Sequence, residues 1–511
     1  MGRIVQHVSG NGSLQALAES LSERIGDSGI EAGGATVADL RQALESGALT
    51  SAALTTFYTG RIERLNPGLH AVITVSPDAL DQAAASDAAR ARGAARGPLE
   101  GIPVLIKDNI AAAGLPATAG SPALAKAESG DAFLVARLRA AGAVIAGKAN
   151  LSEWANIRST QSSSGWSTLG GQTVNPNGSG RNPSGSSSGS AAAVAAGMAP
   201  LAVGTETNGS IVSPASACGV VGLKPTVGLV SRGGIVPISA VQDTAGPMTR
   251  CVADAAALLG ALAGADPGDE ATAASAGRAA DYLGFLDAGA LAGARLGIWR
   301  DGSKAAGPAT AAVLDAAVDR LRAGGAEVID PVPLPGADEA GEPELVALLH
   351  EFKHDLNAYL AALPGEHPMT LAELIDYNNA HADRVLAHFG QDLFERAEAT
   401  SGDLADPGYL AARGDARRGA RAALDGALNE HRLDAVVSLT GGPARLTDHL
   451  LGDQHEFSTS GPAAVTGYPS ITVPAGRVGG LPVGLLLSGA AWSEPRLIAL
   501  AFAFEQATGP V

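Results

Sequence analysis

The spacing of apolar residues predicts two helices near the start of the chain. Thr36 and Asp39 have the pattern of a helix cap, and Gly47 is suited to end the helix that follows. A second helix is predicted to begin near Ser51 and to stop at Asn66-Pro67, because proline disfavours helical geometry in the residue before it. The apolar positions that share a helix face are Val37, Leu40 and Leu44, and then Leu54, Phe57, Tyr58, Ile62 and Leu65.

Short apolar runs alternate with helical patterns along the rest of the chain. This alternation is typical of an α/β protein, in which helices pack on a mostly buried sheet. The strand candidates are residues 102–106, 144–145, 201–203, 294–298 and 435–439, and helical stretches cover residues 132–141 and 310–323. The sequence therefore predicts the α/β class.

The segment 305–432 is mainly helical in pattern and is predicted to be an insertion or cap. Strand-like runs resume after it, at Ala435 and Ser470, and no linker rich in proline and serine sets it apart. We therefore expect one catalytic domain over residues 1–511. Its expected parts are N-terminal helices at 36–75, a core at 76–304, the helical cap at 305–432 and a C-terminal part at 433–511 that completes the sheet.

Composition and charge exclude several classes of protein. The chain has 35 basic and 52 acidic residues, and its net charge of −17 gives no attraction to nucleic acid or to an anionic membrane. With 46% hydrophobic and 17% charged residues, disorder is excluded and a large core is expected. Cys218 and Cys251 are too few for a disulfide framework or a four-thiolate zinc site, and are expected in the core. A cytoplasmic protein is predicted, because the sequence has neither the apolar run of a signal peptide nor that of a membrane span.

A stretch dense in glycine and serine is the first candidate for chemistry. Residues 183–190 read PSGSSSGS, and residues 204–210 read GTETNGS, a strand-and-turn pattern that would present Ser210. A flexible linker is the usual interpretation of such composition, but apolar, structured sequence encloses this stretch on both sides. The pattern favours a hydrolase, which needs a nucleophile, a base and donors for an oxyanion.

The base of such a site is not a histidine from the same region. None of the ten histidines lies in the serine-rich stretch, although a distant one could fold in. Lys107 ends the apolar run at 102–106, and burial there would lower the pKa of its amine towards neutrality. An exposed lysine at the end of a strand is the competing and commoner interpretation.

Several longer motifs, taken in order, resemble the amidase signature family. They are GIPVLIKDN at 101–109, GKANLSEWAN at 147–156, the serine-rich stretch, GTETNGS at 204–210, GLKPT at 222–226, DTAGPM at 243–248 and GGLPVG at 479–484. The resemblance implies an α/β/α fold with a large mixed central sheet covered by helices and preceded by N-terminal helices. The details SEWAN, GSSSGS and GTETxGSIV are most similar to bacterial peptide amidases, which remove the C-terminal amide from peptides.

The resemblance also implies a Ser–cis-Ser–Lys triad. Ser210 takes the position of the nucleophile, Ser186 that of the bridging serine and Lys107 that of the base, whereas Ser187 is a neighbour easily mistaken for Ser186. In the family the peptide bond before the bridging serine is cis, which here is Gly185–Ser186. The residues whose backbone N–H groups are implied to form the oxyanion hole are Thr207, Asn208, Gly209 and Ser210.

Two positions depart from the usual family pattern. Asn208 stands where glycine is common, although peptide amidases also carry a larger residue there, and Val212 stands where many members have arginine. The missing arginine argues against a contact with a substrate carboxylate, and an uncharged lining suits a neutral carboxamide. Lys224, in the GLKPT motif, is interpreted as a structural lysine in a turn.

One short motif points to different chemistry. His350, Glu351 and His354 fit HExxH, the helix motif of zinc metalloproteases, and Glu373 lies downstream where a third ligand would be sought. Motifs this short recur by chance. We expect instead an ordinary amphipathic helix over residues 345–360 of the cap, with both histidines on its solvated face and no metal.

The predicted activity is that of a serine amidohydrolase that forms an acyl-enzyme and needs no metal or organic cofactor. The leading substrate class is the C-terminal carboxamide of peptides, with ammonia as a product. Aryl acylamides, short amides and carbamates are alternatives with the same chemistry, while the amidase component of a tRNA-dependent amidotransferase and a zinc protease come from other classes. The expected partner is a small-molecule or peptide amide, and the pocket lining is expected from the cap and from residues 457–468.

Overall fold

A mixed sheet of eleven strands lies at the centre of the computed structural model, which describes residues 23–25, 28–278 and 281–509. Two further short strands, β4 and β5, pair only with each other. The strands are β1 (Val72–Val75), β2 (Pro103–Lys107), β3 (Val144–Ala149), β4 (Trp166–Ser167), β5 (Gly171–Gln172), β6 (Leu201–Glu206), β7 (Val221–Lys224), β8 (Thr244–Thr249), β9 (Arg295–Ile298), β10 (Glu327–Ile329), β11 (Ala435–Leu439), β12 (Ser470–Val478) and β13 (Leu481–Ser488). From edge to edge, the order in the main sheet is β1-β3-β2-β6-β8-β7-β12-β13-β11-β9-β10.

Parallel and antiparallel pairs both occur in this sheet. Strand β2 runs parallel to β3 and β6, and β9 runs parallel to β10 and β11, whereas the other neighbours are antiparallel. Every residue of β2, β6 and β11 is buried, as expected where helices cover both faces of a sheet. The prediction of an α/β fold with a large mixed sheet covered by helices is confirmed.

The helices that flank the sheet follow one another as α1 to α15. Their bounds are α1 (Val37–Ser46), α2 (Ser51–Leu69), α3 (Ala79–Ala91), α4 (Phe133–Ala140), α5 (Ser188–Ala195), α6 (Val212–Cys218), α7 (Val252–Leu262), α8 (Pro308–Ala323), α9 (Gly341–Ala362), α10 (Leu371–Ala380), α11 (Ala382–Val385), α12 (Asp392–Glu398), α13 (Pro407–Glu430), α14 (Gly461–Thr466) and α15 (Glu494–Thr508).

Helix α1 is capped as its sequence predicts. The Asp39 N–H donates to Thr36 Oγ1 (3.2 Å), and the Thr36 N–H donates to Asp39 Oδ2 (2.8 Å). Gly47 ends the helix with a φ of 75°, a backbone conformation that glycine adopts without steric cost.

Helix α2 ends later than predicted, because it passes Asn66-Pro67 and continues to Leu69. Pro67 lies in the last turn, so its missing N–H costs the helix only one backbone hydrogen bond. The Asn66 side chain then binds both backbone groups of Val72, at 2.8 and 2.9 Å, and so fixes the turn into β1. These local contacts outweigh the usual effect of proline.

The segment predicted as a helical cap also contains a strand. Strand β10 pairs in parallel with β9 at one edge of the main sheet, so residues 327–329 belong to the sheet. Three residues, of which Glu327 is exposed, are too few to show an apolar pattern. Helices α9 to α13 follow, and α9 packs against α13.

Apolar side chains on the two faces of the sheet form the core. Cys218 is buried in it, whereas Cys251 is only partly buried, which corrects the prediction that both lie in the core. Within the described ranges, no helix combines the length and the apolarity that crossing a membrane requires.

The order of strands brings the candidate residues to one edge of the sheet. Because β2 and β6 are parallel neighbours, with Ile106 opposite Val203, Lys107 at the end of β2 lies beside the last residues of β6. The serine-rich stretch leads into α5, which packs on both strands, and residues 207–210 follow β6 directly. Crevices at the carboxyl ends of strands are the usual binding sites of α/β proteins.

Candidate active site

Lys107 is fully buried at the end of β2, which excludes the interpretation as an exposed strand-end lysine. Its Nζ lies 2.8 Å from Ser186 Oγ, 2.8 Å from Thr205 Oγ1 and 3.2 Å from the Thr205 carbonyl oxygen. A neutral amine has two N–H groups and one lone pair. It can therefore donate twice to Thr205 and still accept the hydroxyl proton of Ser186.

Burial lowers the pKa of Lys107 from 10.5 to about 7, against the opposing attraction of the Asp243 and Glu206 carboxylates. Removing an ammonium group from water disfavours its charged form. A large share of the Lys107 amines is therefore neutral near pH 7, which is the form that a general base needs.

The lowered pKa of Lys107 gives a prediction for the pH dependence of hydrolysis. Acid protonates the amine and removes the base, so kcat/KM should fall as the pH drops through about 7 and level off above about 8. While ionised, Asp243 stabilises the charged form of Lys107, so protonation of Asp243, whose pKa burial raises to about 6, should make the acid limb shallower. Initial rates between about pH 5 and pH 9 test this, and a flat profile down to about pH 5 would contradict it.

The serine-rich stretch is a buried turn at the start of α5. Ser186 is fully buried and the Gly185–Ser186 peptide bond is cis. The Ser186 carbonyl accepts a hydrogen bond from the Ser152 N–H (3.0 Å). Ser187 instead turns to β6, where its hydroxyl donates to the Thr205 carbonyl (3.0 Å) and accepts from the Thr205 N–H (3.2 Å). The two neighbouring serines thus have different contacts, and it is Ser186 that meets Lys107.

Glu206 fixes the turn that carries Ser210. Its buried carboxylate accepts the backbone N–H groups of Ile211 (2.7 Å) and Val212 (3.1 Å), which closes residues 207–210 into a tight loop. The Ser210 carbonyl accepts from the Ser187 N–H (3.1 Å), so this segment, the 207–210 loop, is joined directly to the serine-rich turn. The Ser210 side chain is partly exposed and lines a cavity.

Gly209 shows why the 207–210 loop needs a glycine. Its φ is +79°, and a Cβ there would lie 2.9 Å from Ser460 Oγ and 3.0 Å from Ser213 Oγ. The described residues supply no acceptor for the backbone N–H groups of Thr207, Asn208, Gly209 and Ser210. Backbone N–H groups in folded proteins are normally paired, so these four are left to bind solvent or a bound molecule.

Asp243 supports the loop from the side of β8. Thr207 Oγ1 donates to Asp243 Oδ1 (2.5 Å), while Asp243 Oδ2 accepts the N–H groups of Ile238 (2.7 Å) and Ser239 (2.9 Å). Asp243 also attracts the amine of Lys107. The carboxylate therefore links Lys107 to the loop without lining the cavity itself.

The cavity above Ser210 has a volume of about 360 Å³. Among the described residues that line it, His455 alone has an ionisable side chain, so the wall suits an uncharged group. Its lining residues are Ala155, Asn156, Ile157, Ser164, Gly185, Thr207, Asn208, Ser210, Ser213, Ile238, Leu348, His455, Ser458 and Ser460. Leu348 comes from the cap helix α9, and Ser458 and Ser460 come from the predicted segment 457–468.

Val212 does not give this wall its uncharged character. It is fully buried at the start of α6, and the residue of α6 that faces the cavity is Ser213. The sequence correctly shows the absence of an arginine, but the side chain that replaces it is shielded from a substrate by the fold.

Lys224 is a second fully buried lysine, but its setting differs from that of Lys107. It ends strand β7 rather than lying in a turn, and its Nζ donates to the Pro225 carbonyl (3.1 Å). Burial lowers its pKa to about 8, against the attraction of Glu206 and Glu494. No serine hydroxyl lies within hydrogen-bond distance of Lys224 in the described part of the chain, so it is a structural lysine on a strand.

The HExxH motif lies on helix α9, but its glutamate is already occupied. Glu351 is buried and accepts from Arg413 Nε (2.8 Å) and from Tyr409 Oη (2.8 Å), both on α13. His354 is exposed as expected. His350 is only partly exposed, because its ring packs 5.8 Å from that of Tyr409, and this corrects the prediction that both histidines are solvated.

The candidate third ligand is also engaged elsewhere. Glu373 accepts the Met369 N–H (2.8 Å) at the start of α10. Over residues 23–25, 28–278 and 281–509, no group of three or more histidine, cysteine or acidic side chains is arranged to hold a metal ion.

Several residues at the site were not singled out as candidates in the sequence, although Thr205 lies within the GTETNGS motif. Thr205 holds the amine of Lys107, and Glu344, Gln242 and Arg413 stand behind the loop. The signal that could have found Glu344 is its spacing of seven residues from Glu351, which places two carboxylates on one face of a largely apolar helix.

Comparisons with known proteins agree with this geometry. The family model described as Amidase matches residues 53–498. The solved structure of native peptide amidase from Stenotrophomonas maltophilia is 50% identical to this chain, with a TM-score of 0.88 and coverage of 93% of this chain and 98% of that one.

Two curated relatives extend the comparison. A probable amidase of Arabidopsis thaliana is 43% identical over 488 residues, which are 93% of this chain and 90% of that protein. A glutamyl-tRNA(Gln) amidotransferase subunit of Salinispora arenicola is 36% identical over 93% of this chain and 97% of that protein. The chain therefore belongs to the amidase signature family, and it is an amide-hydrolysing enzyme that closely resembles peptide amidase in structure.

Proposed function

We propose that this enzyme hydrolyses the C-terminal carboxamides of peptides with a triad of Ser210, Ser186 and Lys107. The observation that carries the proposal is the hydrogen bond of 2.8 Å between the buried, easily deprotonated amine of Lys107 and the hydroxyl of Ser186. The likeness to peptide amidase at 50% identity supports the choice of substrate.

Acylation begins with attack by Ser210 Oγ on the carbonyl carbon of the amide. The proton of Ser210 passes to Ser186, and that of Ser186 passes to neutral Lys107, so a weak hydroxyl becomes a competent nucleophile. Backbone N–H groups of the 207–210 loop donate to the oxygen on which negative charge develops. The proton on Lys107 returns through Ser186 to the leaving nitrogen, and ammonia departs as the C–N bond breaks.

Deacylation uses the same groups in the same order. Water attacks the ester on Ser210 and gives one proton, through Ser186, to Lys107. The proton then returns through Ser186 to Ser210 as the ester bond breaks, and the peptide leaves as a carboxylic acid that gives its remaining proton to solvent. The enzyme ends each cycle with Lys107 neutral, so no metal or organic cofactor is needed for proton or charge balance.

The cavity wall favours a neutral amide over a charged one. No carboxylate, lysine or arginine is among its described lining residues, whereas hydroxyls and amides are frequent. Serine and asparagine side chains can bind the amide groups of a peptide backbone. A substrate with a terminal carboxylate would enter without a partner for its charge.

Comparison of substrate classes tests the proposal. The kcat/KM should be higher for a C-terminally amidated dipeptide than for the anilide of the same dipeptide, for acetamide or for a simple carbamate. The matched control is the same dipeptide with a free carboxylate. It is added as a competitive inhibitor of amide hydrolysis, so that its inhibition constant measures its binding. Faster hydrolysis of the anilide or the carbamate would move the enzyme to that class and leave the triad in place.

A second candidate is the amidase component of a tRNA-dependent amidotransferase. The similarity to the amidotransferase subunit of Salinispora arenicola favours this candidate, because the alignment covers most of both chains. A net charge of −17 argues against it, because such a complex must bind tRNA. Hydrolysis of peptide amides by the isolated chain supports the first candidate, while co-purification with partner proteins and activity only in that complex supports the second.

A chelator should leave the activity unchanged. Glu351, which would be the general base of a zinc protease, is bound by Arg413 and Tyr409, so the HExxH motif has no free carboxylate to offer. We expect rates with and without EDTA to agree within about twofold, whereas a metal-dependent hydrolase would lose its activity. Loss of activity in EDTA, restored by zinc, would support the zinc protease instead.

A further inference from the structure

The cap helix α9 reaches the 207–210 loop through a single carboxylate. Asn208 Nδ2 donates to both oxygens of Glu344, each at 3.0 Å, and Ser460 Oγ donates to Asn208 Oδ1 (2.7 Å). Both ends of the Asn208 amide are therefore held, and the side chain has one orientation. Glycine, common at this position in the family, could make none of these contacts.

Glu344 also holds the loop by a second route. Gln242 Nε2 donates to Glu344 Oε1 (2.7 Å) and to the backbone carbonyl of Thr207 (3.3 Å). Glu344 is 7% exposed and is not among the described lining residues of the cavity. It therefore does not contact a substrate at Ser210 directly, and its hydrogen bonds reach the loop through Asn208 and Gln242.

A buried network fixes Glu344 in turn. Arg413 of α13 donates to Gln242 Oε1 and to both oxygens of Glu351, which lies seven residues after Glu344 on the same face of α9. The charged groups that face Glu344 are thus Arg413 and Glu351, and burial raises the pKa of Glu344 itself. Polar networks of this kind, when all members are paired, are rigid.

We propose that Glu344 is a positioning residue that acts through Asn208 to aim the backbone N–H groups of the 207–210 loop. Donors to a developing oxyanion contribute most when their direction is fixed before the reaction. A loop of four residues that includes a glycine has no such direction of its own, and Glu206, Asp243 and Glu344 supply it from three sides. This inference rests on the proposed role of Ser210 and goes beyond it, because it assigns a function in the chemistry to the cap.

The test measures reaction of Ser210 with a fluorophosphonate probe, which needs no knowledge of the natural substrate. Ser210 Oγ forms a bond to phosphorus, fluoride leaves, and the serine proton passes through Ser186 to Lys107. Labelling rates are compared for wild type, Glu344→Leu, Glu344→Gln, Asn208→Gly and the double variant Asn208→Gly/Glu344→Leu. Glu342→Leu is the matched control, because Glu342 lies in the same helical turn but is exposed.

We expect Glu344→Leu to slow labelling by roughly ten- to a hundredfold, less than the loss of a whole oxyanion donor. Glu344→Gln should be labelled at a rate near that of wild type. The Asn208 amide can rotate by half a turn, so that Asn208 Oδ1 accepts from the new Gln side chain and Asn208 Nδ2 donates to Ser460. Asn208→Gly should be slow, and adding Glu344→Leu to it should cost little more. With the best amide substrate, the loss in Glu344→Leu should be in kcat rather than in KM.

Two outcomes would overturn the inference. One is labelling of Ser210 at the wild-type rate in Glu344→Leu. The other is an equal loss from Glu344→Leu in the wild-type and Asn208→Gly backgrounds, since an effect that does not pass through Asn208 is additive. If the probe labelled the wild-type enzyme at a residue other than Ser210, that result would contradict the proposed function. The inference about Glu344 would then fall as well, because it rests on Ser210.

Discussion

Ser210→Ala is expected to reduce amide hydrolysis by at least about 10⁴-fold. The alanine leaves the 207–210 loop and its N–H groups in place but removes the only atom that can form the acyl-enzyme. Because the Ser210 hydroxyl makes no hydrogen bond to the described protein residues, its loss should not change the midpoint of thermal unfolding. Initial rates on the best substrate and a melting curve test both statements.

Ser213→Ala is the matched control for Ser210→Ala. Ser213 lies one helical turn further on, lines the same cavity and has the same side chain. We expect its rate to stay within about fivefold of wild type, since removal of a hydroxyl that does not react affects only substrate binding. If Ser213→Ala were as inactive as Ser210→Ala, the assignment of the nucleophile would need revision.

Lys107→Met should lower kcat by about 10³-fold, in the middle of the range that a general base contributes. Methionine fills the same buried space but cannot accept the proton of Ser186, so Ser210 remains a weak nucleophile. The remaining activity should no longer fall as the pH drops through about 7, because the group that titrates there is gone. The measurement is kcat against pH for the variant and for wild type.

Lys224→Met is the control that separates the role of Lys107 from burial of a lysine in general. Both side chains are fully buried with lowered pKa values, but among the described residues the hydrogen-bond partner of Lys224 is a backbone carbonyl. We expect Lys224→Met to keep the acid limb of the wild-type pH profile. Equal losses of kcat in the two variants, with unchanged pH profiles, would show that Lys107 is structural.

The stability of the protein also distinguishes a catalytic role of Lys107 from a structural one. The pKa of Lys107 is lower in the folded state than in the unfolded chain, so the unfolded chain binds more protons between about pH 7 and pH 10. For this group, the free energy of unfolding therefore rises with pH across that window. Lys107→Met removes the penalty of burying an amine, and the variant should unfold at the same temperature as wild type or higher near pH 7.

Local patterns were enough to predict the sheet and the start of the site. Apolar runs correctly placed β2, β6 and β11, because strands buried on both faces are apolar throughout. Lys107 could be singled out because it directly follows such a run. Its burial could not be decided from the sequence, since it depends on Thr205 and on the serine-rich turn that cover its amine.

Long-range contacts account for what the sequence did not predict. Glu344, Gln242 and Arg413 are far apart in the chain, and only the packing of α9 and α13 over the 207–210 loop brings them together. Strand β10 is formed by its parallel pairing with β9 rather than by its own three residues. Pro67 was predicted to end α2 because the contacts of Asn66 with Val72 cannot be anticipated from local propensity.

Release of ammonia from a C-terminally amidated dipeptide, by wild type and by Ser210→Ala at about pH 8, tests the central claim most directly. Wild type should release one ammonia for each dipeptide acid formed, and Ser210→Ala should release none above the blank. Hydrolysis by Ser210→Ala at the wild-type rate would contradict a serine triad in this enzyme. If wild type released no ammonia from any amidated dipeptide but cleaved an anilide or carbamate through Ser210, the peptide carboxamide would be the wrong substrate class.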